Sequence, residues 1–203
     1  MPEKKTNKEK RKIILASQSM RRKQLLEQIG VTNFEICLSE YEEDMTLDKS
    51  PQELAMYLAL EKGRTVARKF SEAIVISGDT IVFCEDKIFG KPKTREEAQE
   101  MLKRFSGKKV GGVSGLALFN TATGQEIVTH GVGWMHFRKL SSREIVNYVQ
   151  AEENVLRFAG GFGLLDKGAV LVEKYKGDFF SIVGLPVSKL YLNLKKMGVD
   201  LFK

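Results

Sequence analysis

Hydrophobic residues occur along this chain in short continuous runs that polar turns separate. The runs are rich in Ile, Val, Leu and Phe, as expected for buried strands. A Gly78-Asp79 break divides two of the runs, and residues 120–124 form a turn that joins two others into a hairpin. Strands are therefore predicted at 13–16, 34–38, 73–77, 80–84, 113–119, 126–137 and 169–172.

Between these runs the apolar residues take a helical spacing, and hydroxyl residues stand where helices would begin. Ser50, Thr94 and Ser141 are each followed three residues later by glutamate, which is the capping-box pattern. Helices are predicted at 19–30, 51–70, 94–106, from 141 onwards and from about 188 to 198. Because strands and helices alternate, we predict an α/β fold with a mixed twisted sheet flanked by helices.

Charge is concentrated at the start of the chain. The net charge is +7, and six of the lysines and arginines lie within residues 1–12. We therefore predict a basic disordered tail at 1–11 and one folded domain at 12–203. A solvated arm is the ordinary meaning of such a tail, and a contact with nucleic acid is the alternative.

The apolar content bears on the compartment. No apolar run approaches the roughly 20 residues of a membrane-spanning helix, and the run at 13–16 is too short for the core of a signal peptide. We therefore expect a cytoplasmic protein without membrane contact. Cys37 and Cys84 each lie in an apolar stretch, so buried thiols are expected rather than a disulfide.

The first candidate site is the turn between the first strand and the first helix. Ser17, Ser19, Arg21 and Arg22 lie there, where a helix N-terminus presents free backbone N–H groups. Arginines are electrostatically unfavourable at this end of a helix unless an anion offsets them, so the turn indicates a phosphate site. The alternative is a solvent-facing pair with salt-bridge partners elsewhere.

Two further candidates are charged residues within apolar surroundings. Asp79 follows the apolar run at 73–77 and precedes Thr80, near a sheet end where α/β folds place ligands. It is a candidate general base or metal ligand, or alternatively an aspartate that bonds to its own turn. Lys62 lies between Leu58 and Val66 on the apolar stripe of its helix, so it either reaches the protein surface or faces a cleft.

The remaining candidates lie in loops. Lys91 stands between a glycine and a proline that fix its direction, although no Walker loop occurs in the chain. The acidic segment 40–44 includes Glu43, which together with Asp79 is a candidate pair of ligands for a divalent cation. A solvated loop is the alternative meaning of that segment.

These sites occur in one order, together with further segments downstream. The series reads ILASQSMRR, LSEYEED, EKG, SGDTIV, FGKP, SGLALF, HFRKLSSREIVNYV, AGGFG and VGLP. It resembles the Maf family of nucleotide pyrophosphatases over about residues 12–199. The resemblance implies a Maf/ITPase-like fold with two lobes around a central cleft, usually a homodimer. It also implies a need for Mg²⁺ or Mn²⁺ and hydrolysis of a nucleoside triphosphate, standard or modified, between the α and β phosphates.

The resemblance also assigns roles to residues that match the family's motifs. Asp79 and the lysines take the catalytic positions, Glu43 and Asp79 the metal positions, and the serine-arginine turn with Thr80 the substrate positions. The residues so matched are Ser17, Ser19, Arg21, Arg22, Glu43, Lys62, Asp79, Thr80 and Lys91.

Two departures from the family pattern concern the phosphate turn and the nucleobase. Met20 replaces the usual proline of the turn. In the glycine-rich loop, the branch that acts on dTTP and UTP has lysine before the Ala-Gly pair and glutamine where Leu165 stands. The 7-methyl-GTP branch has lysine at Gly163 and glutamate at Leu165. Leu165 is therefore the candidate base-contacting residue, and we predict a permissive enzyme.

Two alternatives follow from this loop. Asp166 lies one place later than Leu165 and, after a shift, would restore a carboxylate to the base pocket. The second alternative is that the chain is a catalytically weakened nucleotide- or nucleic-acid-binding protein of the same fold.

Overall fold

The computed structural model describes residues 11–202. The predicted tail therefore lies outside the described residues, apart from Arg11, whose Nη1 donates to the carbonyl of Met197 at 2.7 Å. Within the described range one sheet has seven strands. They are β1 (Lys12–Leu15), β2 (Glu35–Ile36), β3 (Ala73–Cys84), β4 (Lys87–Phe89), β5 (Lys109–Asn120), β6 (Gln125–Phe137) and β7 (Val172–Gly177).

The sheet is mixed, as the alternation of strands and helices predicted. The strand order is β2-β1-β3-β5-β6-β7, and β4 pairs with β3 off this path. The pairs of β1 with β2 and with β3 are parallel, and the pairs that involve β4 to β7 are antiparallel. The two longest pairings, β3 with β5 and β5 with β6, place the middle of β3 at the centre of the sheet.

Helices cover both faces of the sheet. They are α1 (Met20–Gln28), α2 (Pro51–Ala67), α3 (Arg95–Phe105), α4 (Ser142–Ala151), α5 (Phe179–Val183) and α6 (Val187–Lys196). Helices α1 and α6 pack with Ile74 and Ile76 of β3, whereas α2 packs with Val75 between them. Because alternate residues of a strand point to opposite faces, α2 lies on the other face from α1 and α6.

Two glycines allow α2 to lie unusually close to the sheet. A Cβ atom at Gly115 of β5 would lie 2.0 Å from the carbonyl oxygen of Ala55. A Cβ atom at Gly63 of α2 would lie 2.2 Å from the ring of Phe119. Any side chain at either position would lift the helix, and α2 carries Lys62, which must reach the sheet.

We therefore expect Gly115→Ala to lower the free energy of unfolding by about 2–3 kcal/mol, because overpacking against a backbone carbonyl cannot be relieved by a rotamer change. Urea unfolding followed by circular dichroism measures this. Gly90→Ala is the matched control, because its Cβ would lie 4.0 Å from the nearest atom, Met45 Cε. An equal loss in both variants would show that close packing is not the cause.

Most of the predicted helix starts are confirmed, and one capping box is only half formed. Ser50 and Ser141 each make both hydrogen bonds of the box. Thr94 accepts from the backbone N–H of Glu97, but the Glu97 carboxylate accepts from the backbone N–H of Lys93 rather than that of Thr94. The sequence pattern cannot tell which backbone N–H the glutamate accepts from, because the two candidates, Lys93 and Thr94, are adjacent residues.

Several strand predictions were wrong in their bounds. The expected break at Gly78-Asp79 is absent from the described β3, because both residues pair with β5, opposite Leu116 and Gly115. The strand predicted at 169–172 is mostly a 3₁₀ helix, Lys167–Leu171, and β7 begins at Val172. Val170 is 65% exposed, so this apolar run is not a buried strand. The sequence also did not indicate β4 or α5.

Within residues 11–202 no helix is long and apolar enough to cross a membrane.

Candidate active site

Asp79 lies in the middle of the central strand and is almost completely buried. Its side chain points to the face covered by α2, where Lys62 Nζ lies 2.5 Å from Asp79 Oδ1. The same Nζ lies 2.6 Å from Glu43 Oε1 in the acidic loop. Three residues predicted separately from a helix, a strand and a loop therefore meet at one ammonium group.

The two carboxyl groups are in different electrostatic environments. Burial raises the pKa of Asp79 above its ordinary value, although the positive charges of Lys62 and Arg22 oppose the shift. Burial also acts to raise the pKa of Glu43, but the hydrogen bond and charge of Lys62, with the charges of Lys91 and Arg22, lower it overall. Two carboxyls whose pKa values move apart suit a base and a permanently charged partner.

Arg22 is held in one orientation by three hydrogen bonds. Nε donates to the carbonyl of Gly184 at 2.9 Å, Nη1 to Ser17 Oγ at 3.0 Å and Nη2 to Thr80 Oγ1 at 2.9 Å. A guanidinium has five N–H donors, so two remain without a partner among residues 11–202. Burial lowers the pKa of Arg22, and the charges of Asp79 and Glu43 oppose this. The group stays protonated in any case.

Arg22 lies in the first turn of α1. Ser19 is the N-cap of α1 and accepts from the backbone N–H of Arg22 at 3.5 Å. The first turn of α1 contains no acidic residue. Met20, which stands in place of the family proline, is 62% exposed. The N-terminus of α1 therefore has no anion from its own first turn to offset its partial positive charge.

Arg21 faces the glycine-rich loop. It forms an ion pair with Asp166 and lies 5.7 Å from the centre of the Phe158 ring. Burial lowers the pKa of Arg21, and the charge of Glu152 opposes this. The Asp166 carboxylate, predicted as an alternative for the base pocket, is therefore bound to Arg21.

Leu165 and Lys91 lie at the rim of this region. Leu165, which precedes Asp166 in the chain, is 48% exposed, so about half of its side chain is open to solvent. Lys91 is exposed as well, yet its charge lowers the pKa of Glu43. The backbone N–H of Gly160 donates to the carbonyl of Gly90 at 2.9 Å, which ties the glycine-rich loop to the Lys91 turn.

Comparison with known proteins identifies the family of this chain. A family model described as "Maf-like protein" matches residues 12–197. The chain belongs to the Maf family. A relative from Methanococcoides burtonii is 42% identical over 192 residues, which cover 95% of this chain and 98% of the relative.

Two other Maf relatives come from bacteria. One from Clostridioides difficile is 39% identical over 191 residues, covering 94% of this chain and 97% of the relative. One from Bacillus anthracis is 42% identical over 190 residues, with the same coverage. All three relatives are named dTTP/UTP pyrophosphatase.

Glu43 and Asp79 offer oxygen donors of the kind that a hard divalent cation binds. Glu43 and Asp79 present carboxylate oxygens that converge on the point where Lys62 Nζ lies. No group of three or more His, Cys, Asp or Glu residues that could hold a metal occurs within 11–202. Mg²⁺ is commonly bound by one or two carboxylates together with substrate phosphates, so two carboxylates suffice.

The sequence did not indicate several partners of the arginines and of Thr80. Gly184 was noted only within the VGLP segment, and its carbonyl is a direct acceptor from Arg22. Asp166 was considered for the base rather than for Arg21. Ser114 bonds to Thr80 at 2.8 Å, and its place within a strand gave no local signal, since a buried serine in an apolar strand is unremarkable by pattern alone.

Proposed function

We propose that this Maf-family chain hydrolyses nucleoside triphosphates between the α and β phosphates, releasing a nucleoside monophosphate and pyrophosphate. The observation that supports this most is the buried Asp79 paired with Lys62 beside an oriented Arg22. The relatives named dTTP/UTP pyrophosphatase support the same reaction. A pyrophosphate-release assay with Mg²⁺ across standard and modified nucleoside triphosphates tests it.

The cationic residues bind the triphosphate. Arg22 directs its two remaining N–H donors to phosphate oxygens, while Arg21, Lys62 and Lys91 neutralise further charge. Negative charge builds on the leaving pyrophosphate as the bond breaks, and donors already oriented toward it stabilise that transition state. Ser17 and Thr80 hold Arg22 in place, and Ser19 fixes the start of α1 beneath it.

Asp79 acts on the attacking water. Its raised pKa makes the carboxylate a better proton acceptor than an ordinary aspartate. Lys62 holds Asp79 and Glu43 together until substrate phosphates compete for its ammonium group. A divalent cation, held by Glu43 and Asp79, would supply additional charge neutralisation on the phosphates. The residues themselves bind, orient and accept the proton.

The preference for a nucleobase is proposed from the relatives' names and from the exposure of Leu165. UTP and dTTP are expected substrates because the relatives bear those names. Leu165 offers no hydrogen bond and is half exposed, so we expect kcat/KM for UTP, dTTP, CTP, GTP and 7-methyl-GTP to lie within about 10²-fold of one another. Steady-state pyrophosphate release with each nucleotide measures this.

Leu165→Gln is the matched variant for that measurement. A glutamine at the rim adds a hydrogen-bonding side chain and should increase selectivity among the five nucleotides. Asp166→Ala should leave selectivity unchanged, because the Asp166 carboxylate is bound to Arg21. A wild-type preference above about 10⁴-fold for one base, abolished by Asp166→Ala, would instead establish Asp166 as the base-reading residue.

The alternative, a catalytically weakened binding protein, makes the opposite prediction for the same assay. It requires binding of a nucleotide or a nucleic acid with little or no pyrophosphate release from the unmutated protein. We also propose that the protein forms a homodimer, as is usual in the family, and that it lies in the cytoplasm. Analytical sedimentation tests the first point and cell fractionation the second.

A further inference from the structure

Hydroxyl groups continue the contacts of Arg22 into the protein interior. Arg22 Nη2 donates to Thr80 Oγ1 at 2.9 Å, and Thr80 Oγ1 lies 2.8 Å from Ser114 Oγ. Ser114 Oγ donates to the carbonyl of Ser181 at 2.6 Å. Thr80 and Ser114 are directly opposite each other on β3 and β5. Ser114 is fully buried, so it makes no contact with solvent.

The direction of each hydrogen bond follows from the number of hydrogens. A serine or threonine hydroxyl has one hydrogen to donate. Ser114 gives its hydrogen to the carbonyl of Ser181, which can only accept. Thr80 must therefore donate to Ser114 Oγ, which leaves the lone pairs of Thr80 for the guanidinium of Arg22. Each group therefore donates to the next, from Arg22 to Thr80, to Ser114 and to the Ser181 carbonyl. Hydrogen bonds that are connected in this way strengthen one another.

This series of hydrogen bonds ends at the short helix α5, and the residue that follows α5 contacts Arg22 directly. The Ser181 carbonyl lies within α5, and the Gly184 carbonyl that accepts from Arg22 Nε lies just after it. Thr80 Oγ1 is 3.4 Å from that same Gly184 oxygen. If Ser114 did not accept the Thr80 hydrogen, the hydroxyl of Thr80 would turn that hydrogen toward the Gly184 carbonyl, and its lone pairs would no longer point in the same direction toward Arg22.

We propose that Ser114 is a positioning residue for Arg22, acting through Thr80 without touching the substrate. Its hydroxyl accepts the Thr80 hydrogen, and this fixes the direction of the Thr80 lone pair that accepts from Arg22 Nη2. The inference rests on the proposed role of Arg22 in binding phosphate. An arginine without this support loses orientation rather than charge, so the transition state should suffer more than substrate binding.

The test begins with Ser114→Ala and a matched control. We expect Ser114→Ala to lower kcat by about 5- to 30-fold, with KM changing less than about threefold. Ser77→Ala is the control, because Ser77 is also a fully buried serine on a central strand, and its Oγ has no hydrogen-bond partner within 11–202. Ser77→Ala should keep wild-type kinetics. Where the alanine variant does not fold, Ser114→Cys replaces it, because a thiol of similar size is both a weak acceptor from Thr80 and a weak donor.

A double-mutant cycle separates positioning from a general structural effect. In an Arg22→Ala background, Ser114→Ala should change kcat/KM by less than about twofold, since there is no guanidinium left to position. If Ser114→Ala lowers kcat/KM equally in the wild-type and Arg22→Ala proteins, the role of Ser114 is overturned and that of Arg22 stands. The same holds if Ser114→Ala has wild-type kinetics while Arg22→Ala is impaired. Wild-type activity of Arg22→Ala overturns the proposed role of Arg22 and with it this one.

Discussion

Asp79→Asn is expected to lower kcat/KM for UTP by about 10²-fold or more, which is the usual contribution of a general base. The amide keeps the shape of the side chain but accepts no proton from water. Pyrophosphate release over a range of pH measures the effect. In the unmutated protein the rate should fall on the acid side as Asp79 takes up a proton, at a pH above the ordinary aspartate pKa of about 4, because burial raises that pKa.

The stability of this variant distinguishes a catalytic role from a structural one. A carboxyl whose pKa is raised on folding stabilises the protein at low pH, and this contribution is lost as the pH rises through the raised pKa. At neutral pH the charged Asp79 therefore adds no net stability. The free energy of unfolding of Asp79→Asn should lie within about 1 kcal/mol of the wild-type value, because Lys62 keeps its ion pair with Glu43.

Asp44→Asn is a control from the acidic loop, where Asp44 is exposed and bonds with Thr46. It should retain activity. Wild-type turnover of Asp79→Asn would remove Asp79 from the mechanism.

Arg22→Ala is expected to cause the largest loss, about 10³-fold in kcat/KM, as when an arginine that stabilises phosphoryl-transfer charge is removed. Arg22→Lys should recover only a small part of it, because an ammonium cannot donate to Ser17, Thr80 and Gly184 as the planar fork does. The measurement is steady-state pyrophosphate release with saturating Mg²⁺.

Lys23→Ala is the matched control for Arg22. Lys23 is the next residue on the same helix, and its half-exposed side chain pairs with Glu27 at 3.9 Å. Its loss should change kcat/KM by less than about threefold, since an exposed ion pair of this kind contributes little. Equal losses in Arg22→Ala and Lys23→Ala would mean that general positive charge at α1, rather than an oriented guanidinium, assists the reaction.

Prediction of the elements succeeded where the signal is local. Ser50 and Ser141 with their glutamates form the helix caps that the pattern indicates, because a capping box involves four consecutive residues. Prediction failed at Gly78-Asp79, where residues typical of a turn lie inside a continuous strand. The pairing with β5 satisfies their backbone groups, and a partner strand some 35 residues away in sequence cannot be seen in a local window.

The same division applies to the candidate site. The sequence by itself marked Asp79, Lys62 and Arg22 as candidates, since they stand within apolar surroundings or at a helix start, but it left a solvent-exposed role open for Lys62 and Arg22. The tertiary structure decided which groups meet. Gly63 and Gly115 bring α2 close enough for Lys62 to reach Asp79. The acceptors of Arg22 come from β1–α1, β3 and the end of α5, more than 160 residues apart at the extremes. Such contacts depend on long-range packing, which the pattern of single residues does not encode.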